Sequence, residues 1–117
     1  MNGNKTPSFI EIESHDRRLD FELMNHPASL QEGVAYTLPD GSTLLWQPGP
    51  MRKAHGLPAI FHFILVYARD VSAGVLGAYL YDKLKGKATA LLIDRQEVQI
   101  DKGEITRIIT EHIEKKD

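Results

Sequence analysis

The sequence predicts a single α+β domain in which a mixed sheet joins two N-terminal hairpins to a β-α-β-β-α C-terminal half. Three observations predict it. Period-two alternation dominates the first half, helical periodicity marks two long segments of the second, and a length of 117 residues suits one hydrophobic core. Residues 1–8 read as a polar, flexible tail and residues 9–117 as the domain. An apolar fraction of 42% beside 26% charged residues is the balance of a chain that folds on its own.

Phe9-Ile10-Glu11-Ile12-Glu13 alternates, and so does Leu19-Asp20-Phe21-Glu22-Leu23, so the two predict a hairpin with apolar residues inward and carboxylates outward. A second hairpin is predicted where Val34, Tyr36 and Leu38 lead into Pro39-Asp40-Gly41-Ser42 and Thr43-Leu44-Leu45-Trp46 follows. Proline presets the turn dihedral there and glycine accepts a positive φ. Residues 47–58 carry Pro48, Gly49, Pro50, Gly56 and Pro58, which makes them a long irregular connection.

Ile60 to Tyr67 is nearly all apolar, as a central strand covered on both faces would be. Asp70 or Ser72 is placed to cap a helix running to about Lys85, with Val75, Leu76, Tyr79, Leu80 and Leu84 as its apolar stripe and Gly86 as its left-handed terminator. Ala88 to Ile93 and the segment holding Val98 and Ile100 predict a third hairpin, and Ile60 to Ile93 predicts a parallel βαβ crossover. The closing helix places Ile105, Ile108, Ile109 and Ile113 on one face. It starts with Asp101 and Glu104 in capping-box spacing and ends with Lys115 and Lys116 at the negative end of its dipole.

Composition narrows the function classes. Sixteen acidic against fourteen basic residues leave a charge of -2, which gives no field to attract nucleic acid or anionic membrane. The absence of cysteine removes thiolate catalysis and zinc–cysteine sites and fits a reducing cytoplasm. The N-terminus has no apolar stretch behind a basic patch, and the run from Ile60 to Ala68 is too short to span a bilayer.

No catalytic motif, metal site or cofactor fingerprint emerges. The five histidines show no metal-ligand spacing, and His62 and His112 fit core or boundary positions with a hydrogen-bond partner. Ser72 lacks the Gly-x-Ser-x-Gly elbow, so it reads as a cap. Gly74 and Gly77 fall inside a helix, where they serve close packing better than phosphate binding. The best surface candidate is Trp46 with Arg52, Lys53 and His55, because tryptophan beside cations anchors interfaces and long loops carry function. A rival site, for a small ligand or a reaction, would assemble His55, His62, Asp70 and Ser72 at the C-terminal end of the 60–67 strand.

The apolar strand, the helix ending Leu80-Tyr81-Asp82-Lys83-Leu84, the strand pair from Thr89 to Ile100 and the helix after Asp101 together resemble the effector-associated constant component of bacterial ternary conflict systems. The likeness covers residues 60–113, and no functional residue carries over. It implies a small non-enzymatic protein that accompanies an effector and a signalling partner. The sequence therefore points to an accessory or immunity-type interaction module of the cytoplasm, whose partner is another protein. Self-association through the small-residue helix or an edge strand is compatible with that role.

Overall fold

A computed structural model describes residues 6–49 and 56–114. In chain order these form β1 (Ser8–Ser14), α1 (Leu19–Leu23), β2 (Ala35–Thr37), β3 (Thr43–Gln47), β4 (Ala59–Val66), α2 (Ala73–Leu84), β5 (Ala88–Ile93), β6 (Gln96–Glu97) and α3 (Lys102–Glu114). The strands make one six-stranded sheet in the order β2-β3-β4-β1-β5-β6, with every neighbouring pair antiparallel. The fold class is α+β.

Two expectations about the sheet need correction. Residues 19–23 form a helical turn and not the second strand of a hairpin. Over five residues the two periods are hard to separate, because Leu19 and Leu23 lie on one face of a helix as readily as of a strand. The turn ahead of them decides. Ser14 Oγ accepts from the Asp16 N–H at 2.9 Å and Asp16 Oδ1 from the Arg18 N–H at 3.0 Å, which winds the chain into α1. At its other end Asn25 and His26 take positive φ, and the His26 N–H closes on the Phe21 carbonyl at 2.7 Å.

The sheet is also not mixed. β4 and β5 both run antiparallel to β1 and so share a direction, but β1 lies between them. The crossover through α2 therefore joins two strands of the same direction, as expected, but spans an intervening strand, so no parallel pair forms. The β2–β3 hairpin forms as expected; β5 also turns back into a hairpin, but its partner strand is Gln96–Glu97, with Val98 and Ile100 beyond it and not in the strand as expected. At the glycine-free β5–β6 turn, Asp94 and Arg95 both adopt positive φ (50° and 70°), the geometry that matches the strand twist.

Register sorts the side chains into two faces. Ile10 opposes Phe63 and Ile93, Ile12 opposes Phe61 and Leu91, and Leu44 opposes Leu65. Together with Leu19 and Leu23 of α1, Leu76, Leu80 and Leu84 of α2, and Ile105, Ile108 and Ile109 of α3, they make one core on the helical side of the sheet. α2 and α3 touch at Gly77, where an added Cβ would lie 2.1 Å from Thr106 Oγ1, so close packing explains this glycine. The same expectation fails for Gly74, which has open space around it.

Caps hold both long helices in place. Ser72 Oγ accepts from the Val75 N–H at 3.3 Å, and Gly86 beyond the helix has φ of +74°. Asp101 accepts from the Glu104 N–H at 3.0 Å, whereas Glu104 turns to Arg107 and leaves the reciprocal half of the capping box unmade. Lys115 and Lys116 lie outside the described residues.

Candidate interaction face

On the second face of the sheet the registered pairs are Phe9 with Ile64, Glu11 with His62 and Glu13 with Ile60 along β1 and β4. Leu45 of β3 joins beside Ile64, and Leu92 of β5 beside Glu11. None of these residues belongs to the buried core, and Val66 next to them is 37% exposed. The sequence-based expectation that residues 60–67 are covered on both faces is corrected here: among the described residues, all the packed helices lie on the opposite side. An antiparallel sheet with one wet face usually alternates apolar inward with polar outward. In β4 the outward positions are instead Ile60, His62, Ile64 and Val66.

His62 sits in the middle of this face. Its Nε2 lies 3.7 Å from Glu11 Oε1 and its ring rests against Phe9 with centroids 5.2 Å apart. The chain at Gly49 passes close by, since a Cβ there would lie 3.2 Å from His62 Nδ1.

Of the other residues singled out by sequence, the described ones, Trp46, Asp70 and Ser72, do not gather around it. Trp46 pairs with Phe63 on the helical side, and its indole N–H donates to Asp20 Oδ2 at 3.3 Å, so it ties β3 to α1. Burial pushes the Asp20 carboxyl above the usual carboxylate range, and the Trp46 bond partly offsets that. Trp46 is half-buried there, packed against the core. Arg52, Lys53 and His55 lie outside the described residues.

Ser72 and Asp70 belong to the start of α2, not to a site with His62. The Ser72 N–H donates to Asp40 Oδ2 at 3.0 Å, Asp40 also accepts from Ser42, and the buried Ser42 hydroxyl accepts from the Ala68 N–H at 2.8 Å. This polar knot fastens the Pro39–Ser42 turn to the end of β4 and explains every polar atom it contains. Asp70 is exposed beside it.

Sequence reasoning missed a cluster at the same edge of the molecule, beyond the C-terminal ends of β4 and β5. Asp94 Oδ2 holds His112 Nδ1 at 2.9 Å, and Asp94 Oδ1 accepts from the Phe9 N–H at 2.8 Å. Nearby, Tyr67 OH and Ser8 Oγ are 2.6 Å apart, both buried. Burial, and secondarily the Asp94 charge, raise the Tyr67 phenol above its ordinary value, although the Ser8 bond pulls the other way. His112 opens on a shallow depression of about 380 Å³ lined by Gln96, Glu111 and Glu114. An aspartate that orients an imidazole is half of a general-base arrangement. Yet the two neighbouring hydroxyls bond each other, and His112 has no hydrogen-bonded nucleophile among the described residues. Asp94 and His112 are 18 positions apart in unrelated elements, a separation that carries no sequence signal.

Among the described residues no group of three histidine, cysteine, aspartate or glutamate side chains could hold a metal ion, and no helix is long and apolar enough to cross a membrane. No family model, curated protein or solved structure matches this chain.

Proposed function

We propose that this protein is a non-enzymatic interaction module that presents the second face of its sheet to another protein. One observation carries the reading: exposed Val66 and half-buried Ile60 and Ile64 of β4, with half-buried Leu45 and Leu92, are apolar positions on a sheet face that no described element covers. Apolar residues on an uncovered face support a binding role, since a solvated role would favour polar residues. The finer form of the proposal, an accessory or immunity-type component of a bacterial conflict system acting in the cytoplasm, is supported by the order of elements over residues 60–113. A toxin or effector gene next to the coding gene would support it further.

Photo-crosslinking in the source cell tests the interaction reading. A benzophenone side chain placed at Leu45 or Ile64 should yield cross-linked protein, and one at exposed Val75 on α2 should not. Equal yields from the two surfaces would sink it. A small-ligand site is the second reading, favoured by the Asp94–His112 pair beside its depression. Ligand-screening NMR that moves only the signals of His112 and Gln96 would raise it above the first.

A further inference from the structure

We propose that the occupant of the open sheet face is a cationic amphipathic helix of another protein, with its apolar stripe on β4 and its lysine or arginine flank on β1 and β6. The inference rests on the reading of this face as an interaction surface and names the chemistry of the partner.

The face is divided along the strands. Leu45, Ile60, Ile64 and exposed Val66 lie on β3 and β4, and the face positions of β2, β3 and β4 include no carboxylate. On the other half Glu11 and Glu13 come from β1, and Glu97 of β6 is registered with Leu92, which is itself registered with Glu11. Those pairings put all three carboxylates on one side of the sheet. Among the described strand residues of this face there is no lysine or arginine.

These charges lack a counterpart within the chain. Glu11 has His62 Nε2 at 3.7 Å, whereas Glu13 and Glu97 pair with no cation among the described residues. Elsewhere the pattern is different, because Glu22 is matched by Lys87, and Glu104 and Glu111 by Arg107. Covering an unmatched carboxylate with apolar surface removes it from water at a cost, and covering it with an anion adds repulsion. A surface that is cationic over β1 and β6 and apolar over β4 meets neither penalty. An acidic partner, a phosphate backbone and an anionic membrane each meet the second.

Dimensions fit a helix. With its side chains a helix is about 10–12 Å wide, and strands lie about 4.8 Å apart, so one helix laid along β4 and β1 reaches both halves of the face. Glu11 and Glu13 are two residues apart on one strand, about 7 Å, and cations at i and i+4 of a helix are about 6 Å apart along its axis. Glu97 lies two strands from Glu11, about 10 Å, and takes a cation from the outer flank. With α2 and α3 on the opposite side, the added helix completes a helix–sheet–helix sandwich.

A synthetic leucine–lysine amphipathic helix of about 18 residues, long enough to hold its shape, is the probe. Titrated at low salt into the methyl-labelled chain, it should shift the signals of Leu45, Ile60 and Ile64 and leave Val75 in place. A leucine–glutamate helix of equal length should shift none of them. Glu13→Lys with Glu97→Lys should weaken binding of the lysine helix about tenfold. Asp82→Lys with Glu114→Lys makes the same change in net charge at exposed acids of α2 and α3, and should weaken it less than about threefold, since distant surface charges are screened. The methyl spectrum of each variant reports its fold. Equal weakening by the two pairs, shifts centred on Val75, or no binding of the lysine helix overturns the cationic helix. Benzophenone at Ile64 then separates the two claims: capture of another kind of protein surface or of a second copy keeps the interaction reading, and no capture removes both.

Discussion

Ile64 and Leu65 are neighbours in β4, yet they belong to different environments. Leu65 is completely buried against the helices, and Ile64 stands on the face without them. By composition the two faces of this strand are alike, and by context they are opposites. Apolar pattern reports that a surface is to be covered, and it does not say whether the cover comes from the same chain. On the helical side α2 and α3 supply it. On the other side no described element does, and that difference is what supports the proposal that a partner covers it.

If the helical face holds the fold together, truncation there should have the largest effect. Ile109 of α3 is fully buried, and Ile109→Ala should lower stability by about 2–5 kcal/mol, read from the urea midpoint at unchanged slope. A loss below about 1 kcal/mol would mean that α3 is not a structural part of the core. Next comes the contact between the helices. Gly77→Ala should cost about 1–3 kcal/mol, because the added methyl collides with Thr106 backbone and side chain. Pairing it with Thr106→Gly should return much of that loss, while Gly74→Ala, with open space around it, should be neutral or slightly stabilising.

A smaller effect is expected at the edge of the covered side, where Asp20 meets Trp46. Its folded pKa is raised above the ordinary 3.8, so the folded state binds the proton more tightly than the unfolded chain does. The contribution is therefore favourable at pH below 3.8 and is lost as pH rises through the raised value. Asp20→Asn keeps an acceptor for the indole and removes the charge. The variant should gain stability relative to the parent as pH increases from about 4 toward neutrality. A gain that is flat across this range would show that burial of the charge is not what shifts the carboxyl. The smallest effect belongs to Glu114, exposed near the end of α3, where replacement by alanine should change stability by less than about 0.5 kcal/mol.

Much of this fold was legible in the sequence, and the failures have physical causes. α2 and α3 were readable because caps and periodicity agree over three turns or more, and the β2–β3 hairpin because Pro39-Asp40-Gly41 dictates its turn. α1 was not, since five residues fit both periods and side-chain bonds from Ser14 and Asp16 made the choice. The place of β1 between β4 and β5 depends on pairings between distant segments, to which local pattern is blind. Among the described residues of the candidate site, only His62 lies on that face, and it was named for a different reason. Ser72 behaved as the cap its position implied, and Trp46 was drawn inward by a carboxylate 26 residues away. The open face itself left one sign, the nearly all-apolar run of β4, interrupted at His62, which was taken to mean cover on both sides by the same chain.

The measurement that bears most directly on the central claim is a pair of urea unfolding curves at low protein concentration, for Leu65→Ala and Ile64→Ala. With a face left open by its own chain, Leu65→Ala should lose about 2–5 kcal/mol, as fully buried leucines do. Ile64→Ala should lose about 1 kcal/mol or less, the scale of cross-strand neighbours on a wet sheet. Equal losses would mean that Ile64 is packed as deeply as Leu65 within a single chain, and would contradict the assignment of that face to a partner.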